Sequence, residues 1–166
     1  MAKKTRRQLF GQHFLHDRNI IKKIIEASQL EKSDLVIEIG PGTGALTFPL
    51  AEKAGLVIAI EKDAALIPPL KTRVPANVEI ITADILELNL APIITRQREN
   101  FSVVKMTGNL PYHISTQILF VLLNLKHSLK QAVFLFQKEV AQRLVAQAGP
   151  KKYSPLSILL QNYFET

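Results

Sequence analysis

The chain has 166 residues, 47% of them hydrophobic, and a formal net charge of +7, which favours one globular domain with its own core and excludes a disordered chain. The absence of cysteine excludes disulfides and thiolate sites, and no apolar run is long enough to cross a membrane. The excess of basic residues favours a polyanionic partner, with nucleic acid ahead of an anionic membrane surface.

The N-terminal region changes from basic to apolar. Residues 1–9 carry four basic side chains and are predicted to form a flexible arm, which either contacts phosphates or is simply solvated. The segment 10–15 is too apolar for a free tail. It is either a cap over the core or a lid over a ligand pocket, with polar residues such as His13 facing inwards. Asp17 is a typical N-cap for the helix predicted over 19–28.

The central feature of the chain is a strand followed by a glycine-rich turn. Residues 35–39 form an apolar run broken only by Glu38, which predicts a buried parallel strand. The three glycines within residues 40–44 allow positive φ angles and the close approach of a ligand. A helix is predicted over 45–54. A strand, a glycine turn and a helix N-terminus together form a nucleotide-binding corner.

Two further strands, predicted over 56–61 and 78–84, each end on an acid. In a doubly wound sheet the carboxyl ends of the strands line the ligand crevice. Glu61 can accept two hydrogen bonds from ribose hydroxyls there, and Asp84 can accept one from an adenine amino group.

The rest of the chain continues the alternation of strands and helices. The remaining predicted elements are a helix over 64–72 that two prolines kink or end early, an irregular crossover over 86–100, strands over 101–109 and 131–137, and helices starting near residues 115, 138 and 155. This order predicts an α/β fold with a doubly wound, mostly parallel sheet.

Three interpretations of the glycine turn are open. Gly40-x-Gly42-x-x-Ala45 satisfies the dinucleotide fingerprint, and Glu61 follows at the distance expected of a ribose-binding acid. Glu38 could instead face a cationic ligand, and the spacing Glu-x-Gly-x-Gly-x-Gly resembles the first motif of S-adenosylmethionine-dependent methyltransferases. The third possibility is a turn without a ligand, although glycine lowers stability where nothing demands it.

The strand over 101–109 delivers Asn109-Leu110-Pro111-Tyr112 to the mouth of the crevice. Pro111 favours an extended Leu110, which directs the Leu110 carbonyl and the Asn109 side chain into one space. Two acceptors there can hold an exocyclic amine so that its lone pair attacks a methyl sulfonium, through positioning rather than a strong base. Tyr112 either stacks on a target base taken out of its stack or is a core tyrosine in an ordinary turn.

Six segments, taken in order, resemble the rRNA adenine N6,N6-dimethyltransferases, in particular the bacterial KsgA type. They are Phe-Gly-Gln-His-Phe-Leu (10–15), Glu-Ile-Gly-Pro-Gly-Thr-Gly (38–44), Ile-Glu-Lys-Asp (60–63), Ala-Asp (83–84), Gly-Asn-Leu-Pro-Tyr-His-Ile-Ser-Thr (108–116) and Gln-Lys-Glu-Val-Ala (137–141). The resemblance runs from about residue 8 to residue 166. The related Erm type, which modifies large-subunit rRNA, usually has Asn-Ile-Pro-Tyr and lacks Gln-Lys-Glu-Val-Ala.

The resemblance implies a Rossmann-like class I methyltransferase domain over 10–166. Such an enzyme uses S-adenosyl-L-methionine to methylate N6 of two adjacent adenines near the 3′ end of small-subunit rRNA, during ribosome biogenesis in the cytoplasm. Its partner is the immature small subunit, with which it is expected to act as a monomer. The family continues into two more strands, a Phe-rich segment and a helical RNA-binding domain, so the chain is interpreted as most of a catalytic domain without its last strands.

The resemblance also implies the site residues. The cofactor is contacted by His13, Leu15, Gly40, Glu61, Asp84 and Asn109, and the target adenine is held by Asn109, Leu110 and Tyr112. Many members have Asn in place of His13, and both side chains donate a hydrogen bond. The four histidines follow no spacing typical of a metal site, so we expect no metal.

Four competing functions are weighed against this one, and the first is an Erm-type large-subunit rRNA methyltransferase. A DNA amino-methyltransferase has a similar tetrapeptide, but no target-recognition segment is visible here. A non-catalytic RNA-binding assembly factor could use the same fold, although the presence of Glu61, Asp84 and Asn109 argues against it. An NAD-dependent oxidoreductase is the least favoured.

Overall fold

The computed structural model describes residues 14–147, 149 and 155–166, apart from the side chains of Tyr112 and Leu156. The predicted arm over 1–9 and His13 therefore lie outside the described residues. The strands are β1 (Asp34–Ile39), β2 (Leu56–Glu61), β3 (Val78–Thr82), β4 (Val103–Asn109) and β5 (Gln131–Leu135). The helices are α1 (Arg18–Ser28), α2 (Thr47–Lys53), α3 (Ile67–Lys71), α4 (Ala91–Gln97), α5 (Ser115–Asn124), α6 (Lys138–Leu144) and α7 (Pro155–Gln161), with a 3₁₀ turn at Tyr112–Ile114.

The strands form one parallel sheet in the order β3-β2-β1-β4-β5. The chain moves outward from β1 through β2 to β3, then returns to the other side of β1 with β4 and β5. The strand order therefore reverses between β1 and β4, and a ligand crevice opens at the carboxyl ends of strands at such a reversal. The predicted α/β, doubly wound, parallel fold is confirmed.

The central strands are mostly apolar because both faces of the sheet are covered. β1 directs Leu35 and Ile37 to one face and Val36 to the other, and all three are at most 1% exposed. Helices α4, α5, α6 and α7 pack against the first face, whereas α1 and α2 pack against the second. A parallel strand between two helical layers has no polar face, which explains why apolar residues lie on both faces of β1.

The predicted irregular crossover over 86–100 is wrong, because it contains α4. The Asn89 side chain accepts a hydrogen bond from the Ala91 N–H at 3.1 Å, and Pro92 lies in the first turn, where proline is tolerated. Ile94 is 1% exposed and packs into the core of the first face. This helix is two turns long and is stabilised by tertiary burial, which short-range periodicity could not reveal.

Several predicted boundaries were also wrong. The helix predicted over 64–72 begins at Ile67, so Pro68 and Pro69 lie in its first turn instead of kinking it. β3 ends at Thr82 and β5 at Leu135, each two residues earlier than predicted. The residues after each of these ends are therefore loop residues at the carboxyl edge. No helix in residues 14–147 or 155–166 is long and apolar enough to cross a membrane.

Candidate active site

A cavity of about 500 Å³ opens at the carboxyl edge of the sheet, where the strand order reverses. All of the sequence-predicted site residues whose side chains are described line it, namely Leu15, Gly40, Glu61, Asp84, Asn109 and Leu110. The fold therefore brings together residues from five separate parts of the chain. Proximity alone does not assign their roles.

The glycine turn has the backbone conformation that its sequence predicts. Gly40, Gly42 and Gly44 have φ angles of 67°, 57° and 93°, which disfavour other residues. A Cβ at Gly40 would meet nothing within 4 Å, so this position is open towards the cavity. A Cβ at Gly42 would lie 3.1 Å from the ring of Phe14, which packs over the turn.

Glu61 connects the end of β2 to the glycine turn. Its carboxylate accepts the Gly42 N–H at 3.1 Å on one oxygen and the Asp63 N–H at 2.8 Å on the other. Burial raises the pKa of Glu61, and these backbone donors partly oppose that effect. Each oxygen keeps a second lone pair, so the carboxylate can accept further hydrogen bonds from a ligand.

Asp84 lies two residues beyond β3 and is engaged on both oxygens. One oxygen accepts the Leu86 N–H at 3.0 Å, and the other contacts the Lys62 ammonium at 2.5 Å. The hydrogen bond from Lys62 lowers the pKa of Asp84, and the nearby His113 acts in the same direction. The Asp84 side chain is only 17% exposed, whereas that of Lys62 is 60% exposed.

Glu38 is the most unusual acid of the site. It is 1% exposed, yet its Oε2 has no hydrogen-bond partner among the described residues. Burial raises the pKa of Glu38 to about 8, while the neighbouring Thr47 hydroxyl lowers it in part. The Thr47 oxygen also lacks a partner of hydrogen-bonding geometry in the described part of the chain, so the two groups lie close without a well-formed bond. A buried acceptor of this kind is suited to a charged or polar ligand.

Asn109 ends β4 beside Leu135 of β5, and Leu110 follows with 3% of its surface exposed. The Pro111 carbonyl accepts the Ile114 N–H at 3.2 Å and the Ser115 hydroxyl at 3.3 Å, which fixes the turn into α5. The backbone of Tyr112 begins the 3₁₀ turn at the cavity mouth, but its side chain is not among those described. The predicted roles of these residues stay predictions.

The described end of the segment 10–15 serves both functions that the sequence left open. Phe14 and Leu15 line the cavity. Leu15 also packs against the core of the second face, where Val36 and Leu50 are buried. This segment is therefore both a cover for the core and one wall of the cavity.

Sequence reasoning missed the contribution of β5 to the cavity. Phe136 and Gln137, which directly follow β5, line it together with Gln117 of α5. The rule that identified Glu61 and Asp84 would also have found Phe136 and Gln137, because every parallel strand ends at the same edge. Across the described residues, no three His, Asp or Glu side chains are grouped so as to hold a metal ion.

A family model described as ribosomal RNA adenine dimethylase matches residues 3–166. The ribosomal RNA small subunit methyltransferase A of Psychrobacter cryohalolentis is 41% identical in an alignment of 169 positions. The alignment covers 99% of this chain and 58% of that relative. The chain spans between 53% and 58% of the length of the curated relatives that it matches.

Solved structures give a consistent result. A dimethyladenosine transferase from Plasmodium falciparum aligns with a TM-score of 0.78 and 35% identity, over 90% of this chain and 52% of that one. The 23S rRNA methyltransferase ErmE aligns with a TM-score of 0.73 and 27% identity, over 90% of this chain and 57% of that one.

Proposed function

The chain belongs to the ribosomal RNA adenine dimethylase family, and we propose that it transfers methyl groups from S-adenosyl-L-methionine to N6 of two adjacent adenines near the 3′ end of small-subunit rRNA. One observation carries the proposal. A single cavity at the strand reversal combines a glycine turn, two acids that can bind a nucleoside, and the Asn109–Pro111 turn.

The acids of the cavity suit the nucleoside part of the cofactor. Glu61 is held by two backbone donors and can still accept from ribose hydroxyls. Asp84 can accept from the exocyclic amine of adenine, and Ile85, which also lines the cavity, can pack on the base. The open position at Gly40 leaves room for the ligand to approach the backbone. Leu15, with His13 outside the described residues, is proposed to complete this subsite.

Glu38 suits the methionyl part of the cofactor. When bound, S-adenosylmethionine supplies a methyl group on a positively charged sulfonium. A buried carboxyl with an unpartnered oxygen would be stabilised in its ionised form by a positive ligand, because an opposite charge at short range opposes the desolvation of the carboxylate. A dinucleotide offers a pyrophosphate instead, which provides no positive group to stabilise the ionised form of Glu38.

Asn109 and Leu110 are proposed to position the target amine. Their side-chain and backbone oxygens are acceptors that can orient the adenine N6 so that its lone pair faces the methyl group. Tyr112 is proposed to stack on the flipped adenine. The chemistry then depends on orientation and on the exclusion of water more than on a general base.

Relatives and charge support the RNA substrate. Relatives that are 41% and 42% identical to this chain are named as small-subunit methyltransferases, whereas the Erm-type structure is 27% identical. The alternative of an Erm-type, large-subunit enzyme is therefore not favoured. The formal charge of +7 suits a phosphate-rich partner. We place the activity in the cytoplasm, on the immature small subunit, with a monomeric enzyme and no metal.

The chain spans about half the length of its relatives. Cofactor binding and methyl transfer are therefore tested by separate measurements. Isothermal titration calorimetry should show micromolar binding of S-adenosylhomocysteine, about −8 kcal/mol, and no binding of NAD. Tritiated methyl groups should be incorporated into immature small subunits, with two methyl groups on each of two adjacent adenines. Binding of NAD in place of S-adenosylhomocysteine would contradict the cofactor, and methylation of large-subunit rRNA alone would contradict the substrate.

A further inference from the structure

Lys62 contacts the carboxylate of Asp84, which is the proposed acceptor for the amino group of adenine. Its ammonium contacts Oδ2 of Asp84 at 2.5 Å, while Oδ1 already accepts the Leu86 N–H at 3.0 Å. Both residues line the cavity. Every Asp84 oxygen therefore has a donor from the chain itself before any ligand enters.

The two partners of this contact differ in how exposed they are and in how firmly the chain holds them. Asp84 is 17% exposed and fixed by the turn at Leu86, whereas Lys62 is 60% exposed at the end of a flexible stem. A ligand amine that binds Asp84 must share Oδ2 with the ammonium or displace it. The lysine is the partner that can move, because its ammonium is already largely in water and can leave Asp84 at little cost in free energy.

We propose that Lys62 competes with the adenine amine for Asp84 and thereby sets the preference of the site among purine nucleosides. The inference rests on the proposed function, because it takes the adenine of the cofactor to bind at Asp84. Lys62 weakens the binding of a 6-amino purine, whose donor must share Oδ2 with the ammonium or displace it. It does not weaken a 6-oxo purine, which has no donor at that position and leaves the ion pair intact. The free site is thus less selective for adenine than Asp84 alone would make it.

The competition predicts a distinctive dependence on salt. Exposed ion pairs are screened as ionic strength rises. Salt should therefore strengthen the binding of S-adenosylhomocysteine to the unmodified chain. A residue that merely packs against the base would produce no such trend.

The experiment is calorimetry with S-adenosylhomocysteine and with its 6-oxo analogue, S-inosylhomocysteine, at low and high salt. Lys62→Met keeps most of the apolar stem and removes the charge. It should bind S-adenosylhomocysteine about twofold to fivefold more tightly, as expected for the loss of an exposed ion pair, and the salt trend should disappear. Its affinity for the 6-oxo analogue should not rise, because an acceptor oxygen gains nothing from an Asp84 carboxylate without its ammonium. Lys53→Met removes the same charge from an exposed position outside the cavity lining and should behave like the unmodified chain.

Asp84→Asn tests whether Lys62 acts through Asp84. In that background Lys62→Met should have no further effect on affinity. Equal or weaker binding of S-adenosylhomocysteine by Lys62→Met would overturn the competition, as would the same gain in the Asp84→Asn background. Failure of the unmodified chain to bind S-adenosylhomocysteine would overturn the proposed function and this inference with it. Normal binding without a Lys62 effect overturns the inference alone.

Discussion

Strand β1 carries two buried acids whose surroundings differ sharply. Asp34, at its start, is 2% exposed, and Glu38, near its end, is 1% exposed. Oδ2 of Asp34 is bound by the Lys105 ammonium at 2.8 Å and by the Glu31 N–H at 2.7 Å. Oε2 of Glu38 has no partner among the residues that the structure describes.

The two edges of the sheet therefore differ in whether the chain supplies partners for the buried acid. At the amino edge, Lys105 also donates to the Gln29 carbonyl at 2.6 Å, so one cluster ties the end of α1 to β1 and β4. At the carboxyl edge, Glu38 faces a cavity and keeps an acceptor for something outside the described chain. Burial of an acid costs free energy unless the chain supplies its partners, and a buried acid without them indicates a ligand site.

A large effect on stability is expected at the amino edge. Asp34→Ala should lower the free energy of unfolding by about 3 kcal/mol, because it leaves the nearly buried Lys105 ammonium without its counter-ion. The measurement is urea denaturation at neutral pH. Adding Lys105→Met should recover part of the loss, since the unpaired charge is then gone. A single variant as stable as the parent would remove the structural role of this pair.

Glu38 should make stability depend on pH in the opposite way from an ordinary buried salt bridge. Below its ordinary pKa of 4.5 the carboxyl is protonated both folded and unfolded, whereas between 4.5 and about 8 the unfolded chain ionises first. The folded state then binds more protons, so stability falls as pH rises through this window, by about 3 kcal/mol between pH 4.5 and 7, and levels off above 8. Glu38→Gln should abolish this slope in denaturation curves measured across pH. A slope that persists in Glu38→Gln would assign the proton to another group.

The turn after β4 should affect function without affecting stability. If Tyr112 stacks on the target adenine, Tyr112→Ala should slow methyl transfer. The free-energy barrier should rise by about 1–3 kcal/mol, the value of a base–aromatic stack. Calorimetry with S-adenosylhomocysteine should show nearly unchanged binding. Asn109→Ala is the comparison variant and should reduce both quantities, because the same side chain is proposed to touch cofactor and substrate. Wild-type transfer by Tyr112→Ala would make Tyr112 a core residue.

A smaller effect on stability than at Asp34 is expected at Gly40. Gly40→Ala should lower the free energy of unfolding by about 1–2 kcal/mol, because φ is 67° although a Cβ would meet no protein atom within 4 Å. The new methyl group would instead occupy the cavity, so binding of S-adenosylhomocysteine should fall more than stability does. Gly149→Ala is the matched control, since Gly149 also has a positive φ and open space but lies outside the cavity lining. Equal binding by both variants would mean that no ligand approaches Gly40.

Much of the site could be predicted from the sequence because its local geometry is encoded locally. The glycines of the turn require φ angles that other residues avoid, and their spacing placed the turn correctly. The bounds of β2 were also predicted correctly, and Glu61 ends it at the cavity. For parallel strands, the position of a residue at a strand end is enough to place it on the ligand edge.

The sequence alone determined the α/β fold, the glycine turn and the set of acids at the strand ends. Tertiary structure decided which of those acids are satisfied. Asp34 meets Lys105 because β1 and β4 are neighbours, and Lys62 meets Asp84 because β2 and β3 are. Likewise, α4 depends on packing against distant strands. Burial and pairing are properties of the assembled layers, and no local pattern contains them.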